Sequence, residues 1–309
     1  MATPQPTPTA RKKARYGWTP DLPDARDHIY SAPAIALAAL PPSADLRGGC
    51  PPVYDQEQIG SCTANAIGAA FEFEVKKQGL ADFMPSRLFI YFNERVMEHT
   101  VETDSGAMIR DGIKSVANLG VCPETSWPYD INRFRDKPAA QCYTEAEKNQ
   151  VTVYRRVLQN LHQLQGALAN STPVVFGFSV YETFEGQDVA QSGVVPMPSR
   201  GEKLLGGHAV LAVGYDDASQ RFIVRNSWGP NWGQQGYFTM PYAYVTNAQL
   251  AQDFWTIDVV EEPTATTPQQ ARKAATKATK KTTTKTTKRG AKTTTKAAKT
   301  SKAKSRTRS

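Results

Sequence analysis

The order of local patterns along the chain predicts an α+β fold, with a helical half followed by an antiparallel sheet half. Three observations predict it. Residues 62–118 repeat apolar side chains at helical spacing. Residues 151–260 instead carry short runs rich in valine, isoleucine and aromatic residues. Beyond Pro263 large apolar residues cease, which bounds the folded body.

The elements follow in order. Residues 1–39 are rich in proline and in turn-forming pairs such as those of Asp21-Leu-Pro-Asp24, and read as an irregular extended arm. The arm is open to two readings, a short propeptide or a belt packed on the body. The stretch from Ala34 to Leu40 is apolar but too short to span a bilayer. A first helix is expected over 62–78, with Ala66, Ile67, Ala70, Phe71 and Val75 on its apolar side. Lys76 and Lys77 suit its negative C-terminal end and Gly79 stops it. A second helix is expected over 85–99, opened by Pro85 and carrying Leu88, Phe89, Phe92 and Val96. A third covers 108–118 and ends at Gly120. A strand over 151–157 and a short helix over 158–169 come next. Strands then follow over 174–180, 208–215, 222–225, 237–240 and 254–260.

Within this frame one constellation carries chemistry. Gly60-Ser61-Cys62 supplies a thiol at the start of a helix. Far downstream, Gly207-His208-Ala209-Val210 supplies an imidazole and Asn226-Ser227-Trp228-Gly229 a side-chain amide. A thiol becomes a strong nucleophile only as thiolate. An imidazole can take its proton, an amide can orient the imidazole, and a helix N-terminus favours the negative sulfur. A lone buried cysteine or histidine is ordinarily core, so the flanking sequence carries the argument. His28, His99 and His162 have no such context.

These segments resemble the papain family of cysteine proteases. Gln56 in Asp55-Gln-Glu-Gln-Ile-Gly-Ser-Cys62 resembles the family's oxyanion-hole glutamine. His208-Ala-Val-Leu-Ala-Val-Gly-Tyr215 resembles its histidine strand. Asn226-Ser-Trp-Gly-Pro-Asn-Trp-Gly-Gln-Gln-Gly-Tyr237 resembles its asparagine segment, and Leu40-Pro-Pro-Ser-Ala-Asp-Leu-Arg47 the start of the mature enzyme. The similarity runs from about residue 40 to about 260, and four motifs in order make it specific. It implies a two-subdomain papain-like fold, a helical half plus an antiparallel sheet or barrel half, with the active site in the cleft between the halves. It implies a cysteine endopeptidase acting on proteins or peptides without metal or cofactor. Cys62 would be nucleophile, His208 acid and base, Asn226 its orienter and Gln56 an oxyanion donor. Trp228 would cover the His208–Asn226 contact. Gly106 would pair with substrate backbone, Met108 would line the pocket for the second acyl-side residue, and Gly207 would leave the cleft open. Two positions depart from the family: Ile59 replaces a frequent cysteine, and Thr63 replaces the usual aromatic residue after the nucleophile.

Charge divides the chain. From Pro263 to Ser309 there are 15 of the 37 basic residues and no acidic one. Residues 1–262 therefore hold 22 basic against 29 acidic groups, a net of −7. The tail, with Lys-Thr-Thr-Thr-Lys at 281–285 and again at 292–296, resembles linker-histone tails in composition. It is expected to be disordered and to bind nucleic acid or another polyanion without sequence preference. That offers a second reading, a polyanion-binding protein carrying a silent or regulatory papain-like domain. A transpeptidase using the same acyl-enzyme is a third. The expected division is an arm over 1–39, a peptidase domain over 40–262 and a tail over 263–309. Of the cysteines other than Cys62, Cys122 and Cys142 either pair or remain buried thiols beside Cys50. No signal peptide or membrane-spanning segment is evident, so a cytoplasmic location is expected.

Overall fold

The computed structural model describes residues 16–260. The basic tail expected over 263–309 lies outside these residues. After strand β1 (Ile29–Tyr30), helix α1 (Ala34–Ala38) and strand β2 (Ser43–Asp45) come four helices. These are α2 (Cys62–Lys77), α3 (Arg87–Met97), α4 (Ile109–Leu119) and α5 (Ala140–Ala146). Then follow β3 (Val151–Val157), α6 (Leu161–Ala169), β4 (Val174–Tyr181), α7 (Gln187–Ser192), β5 (Leu204–Asp216), β6 (Arg221–Arg225), β7 (Tyr237–Pro241), α8 (Tyr242–Val245) and β8 (Ala251–Val260).

The expected helical half and sheet half are both present. Their edges move where side chains cap. The second helix starts at Arg87 rather than at Pro85, because the Ser86 hydroxyl accepts the Phe89 N–H at 3.2 Å and closes the first turn. Pro85 stays outside and bridges Pro123. Likewise α6 begins at Leu161 because Asn160 Oδ1 accepts from His162 and Gln163.

The sheet settles one open choice. It is an open path, β1-β3-β8-β4-β5-β6-β7, and not a barrel. Closure would need β7 to meet the opposite edge, but that edge is the two-residue β1, which pairs in parallel with β3. β2 instead extends the sheet beside the far end of the long β5, at Tyr215 and its neighbours.

Strand alternation splits the core in two. Val175, Leu211, Val213 and Trp255 face α2 and α4 and share one cluster with Ile67, Phe71, Leu88, Phe89, Ile109 and Ile113. Their neighbours Phe176, Phe178, Val210 and Ala212 face the other way, onto Leu164, Leu168, Phe222 and Phe238. Helix α2 is buried along its whole length from Cys62 to Val75, including Asn65, Glu72 and Glu74. A helix buried on every side is central, and this one is wedged between the other helices and the sheet. All four cysteines are free thiols, which decides the open question about Cys122 and Cys142.

One buried cation shapes the loop that later meets the cleft. The Arg95 guanidinium stacks 3.9 Å from the Tyr91 ring centroid and donates to the carbonyls of Tyr91, Val101, Thr103 and Phe134. It thereby folds residues 99–106 back over α3. Arg95→Ala strands these carbonyls. Unmet buried groups cost about 1–3 kcal/mol each before relaxation, so a loss of about 3 kcal/mol or more is expected in urea unfolding. A loss below about 1 kcal/mol would show that the loop holds itself.

Candidate active site

Cys62 is the first residue of α2, directly after the N-cap position at Ser61, and its side chain is fully buried. Opposite it runs β5, whose Ala209, Leu211 and Val213 share one apolar cluster with Cys62 and Ile67. His208 sits on that strand beside Ala209 and is 1% exposed. Its Nε2 lies 2.9 Å from Asn226 Oδ1, an oxygen that also accepts the Ser227 N–H. Asn226 directly follows Arg225, the last residue of β6, whose partner on β5 is Leu211, so strand pairing carries it to the same end of β5 as His208. Four aromatic rings wall the imidazole: Phe178, Phe184, Trp228 and Tyr16, with centroids 5.4–6.3 Å away. Trp228 lies beside His208, its ring tilted by 31°. Water is thus excluded from the His208–Asn226 bond, where a hydrogen bond is stronger than in the open.

Gln56 stands before α2. Its Oε1 accepts the Ser227 hydroxyl at 2.6 Å, and its Nε2 donates to the Ile59 carbonyl at 3.0 Å. An NH2 group has a second hydrogen, and fixing the oxygen on Ser227 orients it. The loop carrying Gln56 is held from both sides. Gln56 N–H donates to Ser227 O, and Gly229 N–H donates to Tyr54 O. Below, Tyr129 donates to Gln56 O at 2.9 Å and meets Ser61 Oγ at 2.5 Å. Arg87 stacks between Tyr54 and Tyr129, donates to Asn65 and Asp55, and pairs with Glu124 at 2.6 Å. Thr63, which replaces an aromatic residue, donates to Glu94 at 2.6 Å. Burial pushes that carboxyl well above the usual carboxyl range.

The cleft is not empty of chain. The N-terminal arm runs through it. Gly17 O accepts the Ala107 N–H at 2.7 Å, and Thr19 N–H donates to Ala107 O at 3.0 Å, so the arm pairs in parallel with this segment. On the other wall Trp18 N–H donates to Gly207 O at 2.9 Å. Tyr16 lies edge-on to His208 and donates to Glu185 at 2.7 Å. Its hydroxyl is pushed up by burial, by Glu185 and by the nearby Cys62 sulfur. The fit depends on missing side chains. A Cβ on Gly17 would fall 1.7 Å from Gly60 O, and one on Gly106 would fall 2.0 Å from Gly17 O. Gly106 also has φ +76°, which glycine adopts without strain. A Cβ on Gly207 would strike the Trp18 ring.

Gly106 and Gly207, expected to contact substrate, both lie against the arm, whose own backbone bonds fall on Ala107 and on the Gly207 carbonyl. Met108 is half-buried before α4 and gives its N–H to Glu98 at 2.7 Å.

Comparison with known proteins agrees with this geometry. The family model of papain family cysteine proteases matches residues 40–257. The chain belongs to the papain family of cysteine proteases. It is 47% identical over 218 residues to an uncharacterized peptidase C1-like protein of Acanthamoeba polyphaga mimivirus, covering 68% of this chain and 70% of that one. It is 32% identical over 212 residues to chymopapain of Carica papaya, covering 65% of this chain but only 54% of that protein. The crystal structure of xylellain, a cysteine protease from Xylella fastidiosa, superposes with a TM-score of 0.74 at 45% identity, over 85% of this chain and 99% of that one.

Sequence reasoning missed Tyr16, Gly17, Trp18, Asp21, Ser227 and Asp253. Ser227 stood inside a quoted motif without a role. The Gly-Trp pair in a proline-rich arm was the available signal for the arm residues, and nothing local marked Asp253. Beyond the cleft, Asp21 anchors the arm. It is buried, accepts from Arg110 N–H and from Trp255 Nε1, and lies near Asp253, Asp27, Glu98 and Arg156. Burial and then Asp253 push Asp21 from 3.8 up to about 6. A group raised by docking favours docking while protonated, so this contribution is present below about pH 4 and lost as pH rises through about 6.

A Cβ on Gly17 should expel the arm. Overpacking of about 1–3 kcal/mol converts to roughly 5- to 150-fold more open enzyme. Full-length Gly17→Ala is expected to hydrolyse a small peptide faster than wild type by that range. The Gly17→Ala to wild-type ratio cancels the pH dependence of the chemistry, and should be larger near pH 5 than near pH 7.5. Equal rates at both pH values would show that the arm is no obstacle.

Proposed function

We propose that this papain-family protein is a cysteine endopeptidase that cleaves through an acyl-enzyme, and that its own arm holds it latent. The observation that carries the mechanism is the 2.9 Å contact between His208 Nε2 and Asn226 Oδ1. With Nε2 engaged, Nδ1 is the nitrogen left to exchange a proton with Cys62. Cys62 Sγ adds to the substrate carbonyl as thiolate, while protonated His208 waits beside it. The new oxyanion takes hydrogen bonds from the Cys62 backbone N–H and the Gln56 amide. The C–N bond breaks as His208 gives its proton to the departing amine. Water then enters, His208 takes one of its protons, and the thioester breaks to release the acid.

The arm supports the assignment of the substrate track. It occupies the Ala107 N–H, the Ala107 carbonyl and the Gly207 carbonyl, which are the backbone groups a peptide would use. Trp228 keeps the imidazole dry, and Met108 is assigned to the acyl-side wall. Among the described residues no cluster of acids, histidines or cysteines could hold a metal, and no helix is long and apolar enough to cross a membrane.

Hydrolysis of a mixed fluorogenic peptide set by full-length Gly17→Ala tests this reading. Adding Cys62→Ala should abolish cleavage, and adding His208→Ala should lower kcat/KM by about 10²–10⁴-fold. Cleavage that survives Cys62→Ala would end it.

A second role is proposed for the tail on its charge alone, 15 basic residues and no acid over 263–309. It would bind duplex DNA or another polyanion by neutralising phosphates, with affinity falling steeply as salt rises. A chain ending at residue 262, with its net charge of −7, should lose DNA binding at low salt. Equal binding by both forms would refute the role.

A further inference from the structure

The arm does more than cover the cleft: it inserts one side chain into a shaped slot. Trp18 is 8% exposed and shares an apolar cluster with Cys62, Val175, Ala209 and Trp255. Two glycines on adjacent strands make room for its ring. A Cβ on Gly177 would lie 2.0 Å from Trp18 Cε2, and one on Gly207 would lie 2.6 Å from Cε3. At the end of the slot stands Asp253, itself 2% exposed. Its place there is a product of strand geometry. From Val175 to Gly177 the partners on β8 run from Trp255 to Gln252, so β8 carries an extra residue. Asp253 sits in that bulge at φ +59°. Bulges re-aim side chains, and a strained non-glycine residue persists only where its surroundings hold it.

The two carboxylate oxygens have different partners. Oδ1 accepts from Arg156 Nη2 at 3.0 Å, a residue of the body. Oδ2 accepts from Trp18 Nε1 at 3.2 Å and from the Asp21 N–H at 2.8 Å, and both of these belong to the arm. When the arm leaves, Oδ2 is therefore an acceptor aimed into an apolar slot. Arg110, whose Nη2 holds Asp27 of the arm at 2.6 Å, loses that partner too. Asp253 keeps Arg156 on its other oxygen, and Arg110 is left without Asp27, so a further cation gains little there, whereas a neutral donor to Oδ2 does.

We propose that this slot is a specificity pocket of the released enzyme, and that Asp253 makes it select an aromatic acyl-side residue bearing a hydrogen-bond donor, tryptophan before phenylalanine. The proposal rests on the peptidase reading, with Trp18 standing in for the substrate residue. Phenylalanine fills the slot but leaves Oδ2 buried without a donor, and such an unmet group is the larger part of discrimination at polar sites. An aliphatic residue leaves part of the slot void as well.

The test uses full-length Gly17→Ala and peptides that differ only in the pocket residue: tryptophan, phenylalanine, leucine or arginine. Tryptophan is expected to exceed phenylalanine by about tenfold in kcat/KM, with arginine below both. Adding Asp253→Ala should bring that ratio close to one while phenylalanine peptides are still cleaved. Asp253→Asn keeps an acceptor oxygen and should keep the preference, which guards against a variant that misfolds. Calorimetric binding of the same peptides to full-length Gly17→Ala/Cys62→Ala gives the ratio without turnover. A tryptophan preference in binding with no cleavage by the active chain would sustain the pocket and overturn the peptidase reading. Cleavage with no tryptophan preference, a preference for arginine, or a ratio unmoved by Asp253→Ala would overturn the pocket and leave the peptidase reading intact.

Discussion

The packing of α2 against β5 is the constraint on which the site depends. Cys62 and His208 come from distant parts of the chain, and neither could find the other by local geometry. Because every residue of α2 from Cys62 to Val75 is buried, the helix can neither roll nor slide without opening the core. Interiors are close-packed, so even small displacements are resisted. The first turn of the helix is therefore fixed relative to the strand that bears the imidazole. The sheet then supplies Asn226 through the neighbouring strand β6, and the loop before α2 supplies Gln56.

That loop is polar and could not hold itself. It is tied across the cleft by backbone bonds to Ser227 and Gly229, and from beneath by Tyr129 and the stacked Arg87. Ser227 has a double role, since its N–H shares Asn226 Oδ1 with His208 while its hydroxyl fixes Gln56 Oε1. The amides proposed to orient the base and to hold the oxyanion are thus coupled through one residue. Preorganisation of this kind is what lets dipoles act on developing charge without first reorienting.

The arm fits the same cleft by subtraction. Gly17, Gly106, Gly177 and Gly207 remove the side chains that would keep it out. Its hold combines one buried indole with a small polar anchor around Asp21, Asp253, Arg110 and Arg156. Fully burying a large apolar side chain is worth about 1.5–3 kcal/mol. Under the proposed latency, a hold of this size occupies the cleft and can still be undone.

How much of this was legible depended on the range of the interaction that decides it. Helix α2 was legible almost to its ends, because apolar spacing, Lys76, Lys77 and Gly79 all lie within it. Cys62, His208, Asn226 and Gln56 were legible because each sits in a contiguous motif whose neighbours serve the same site. The starts of α3 and α6 were blurred, since Ser86 and Asn160 act by capping geometry that competes with proline and apolar pattern. The open sheet was not legible, because closure turns on which edges meet. The arm's path was not legible either: residues 16–21 are positioned by Gly60, Ala107, Gly177, Gly207 and Asp253, all distant in the chain. Asp253 fell just before the strand expected over 254–260, and only the bulge in the folded sheet turns it inward. The sequence by itself determined which elements form and which chemistry they carry, because period, caps and motifs are local. Tertiary structure alone decided what fills the cleft and what lines its pocket, because those contacts exist only once remote segments have packed.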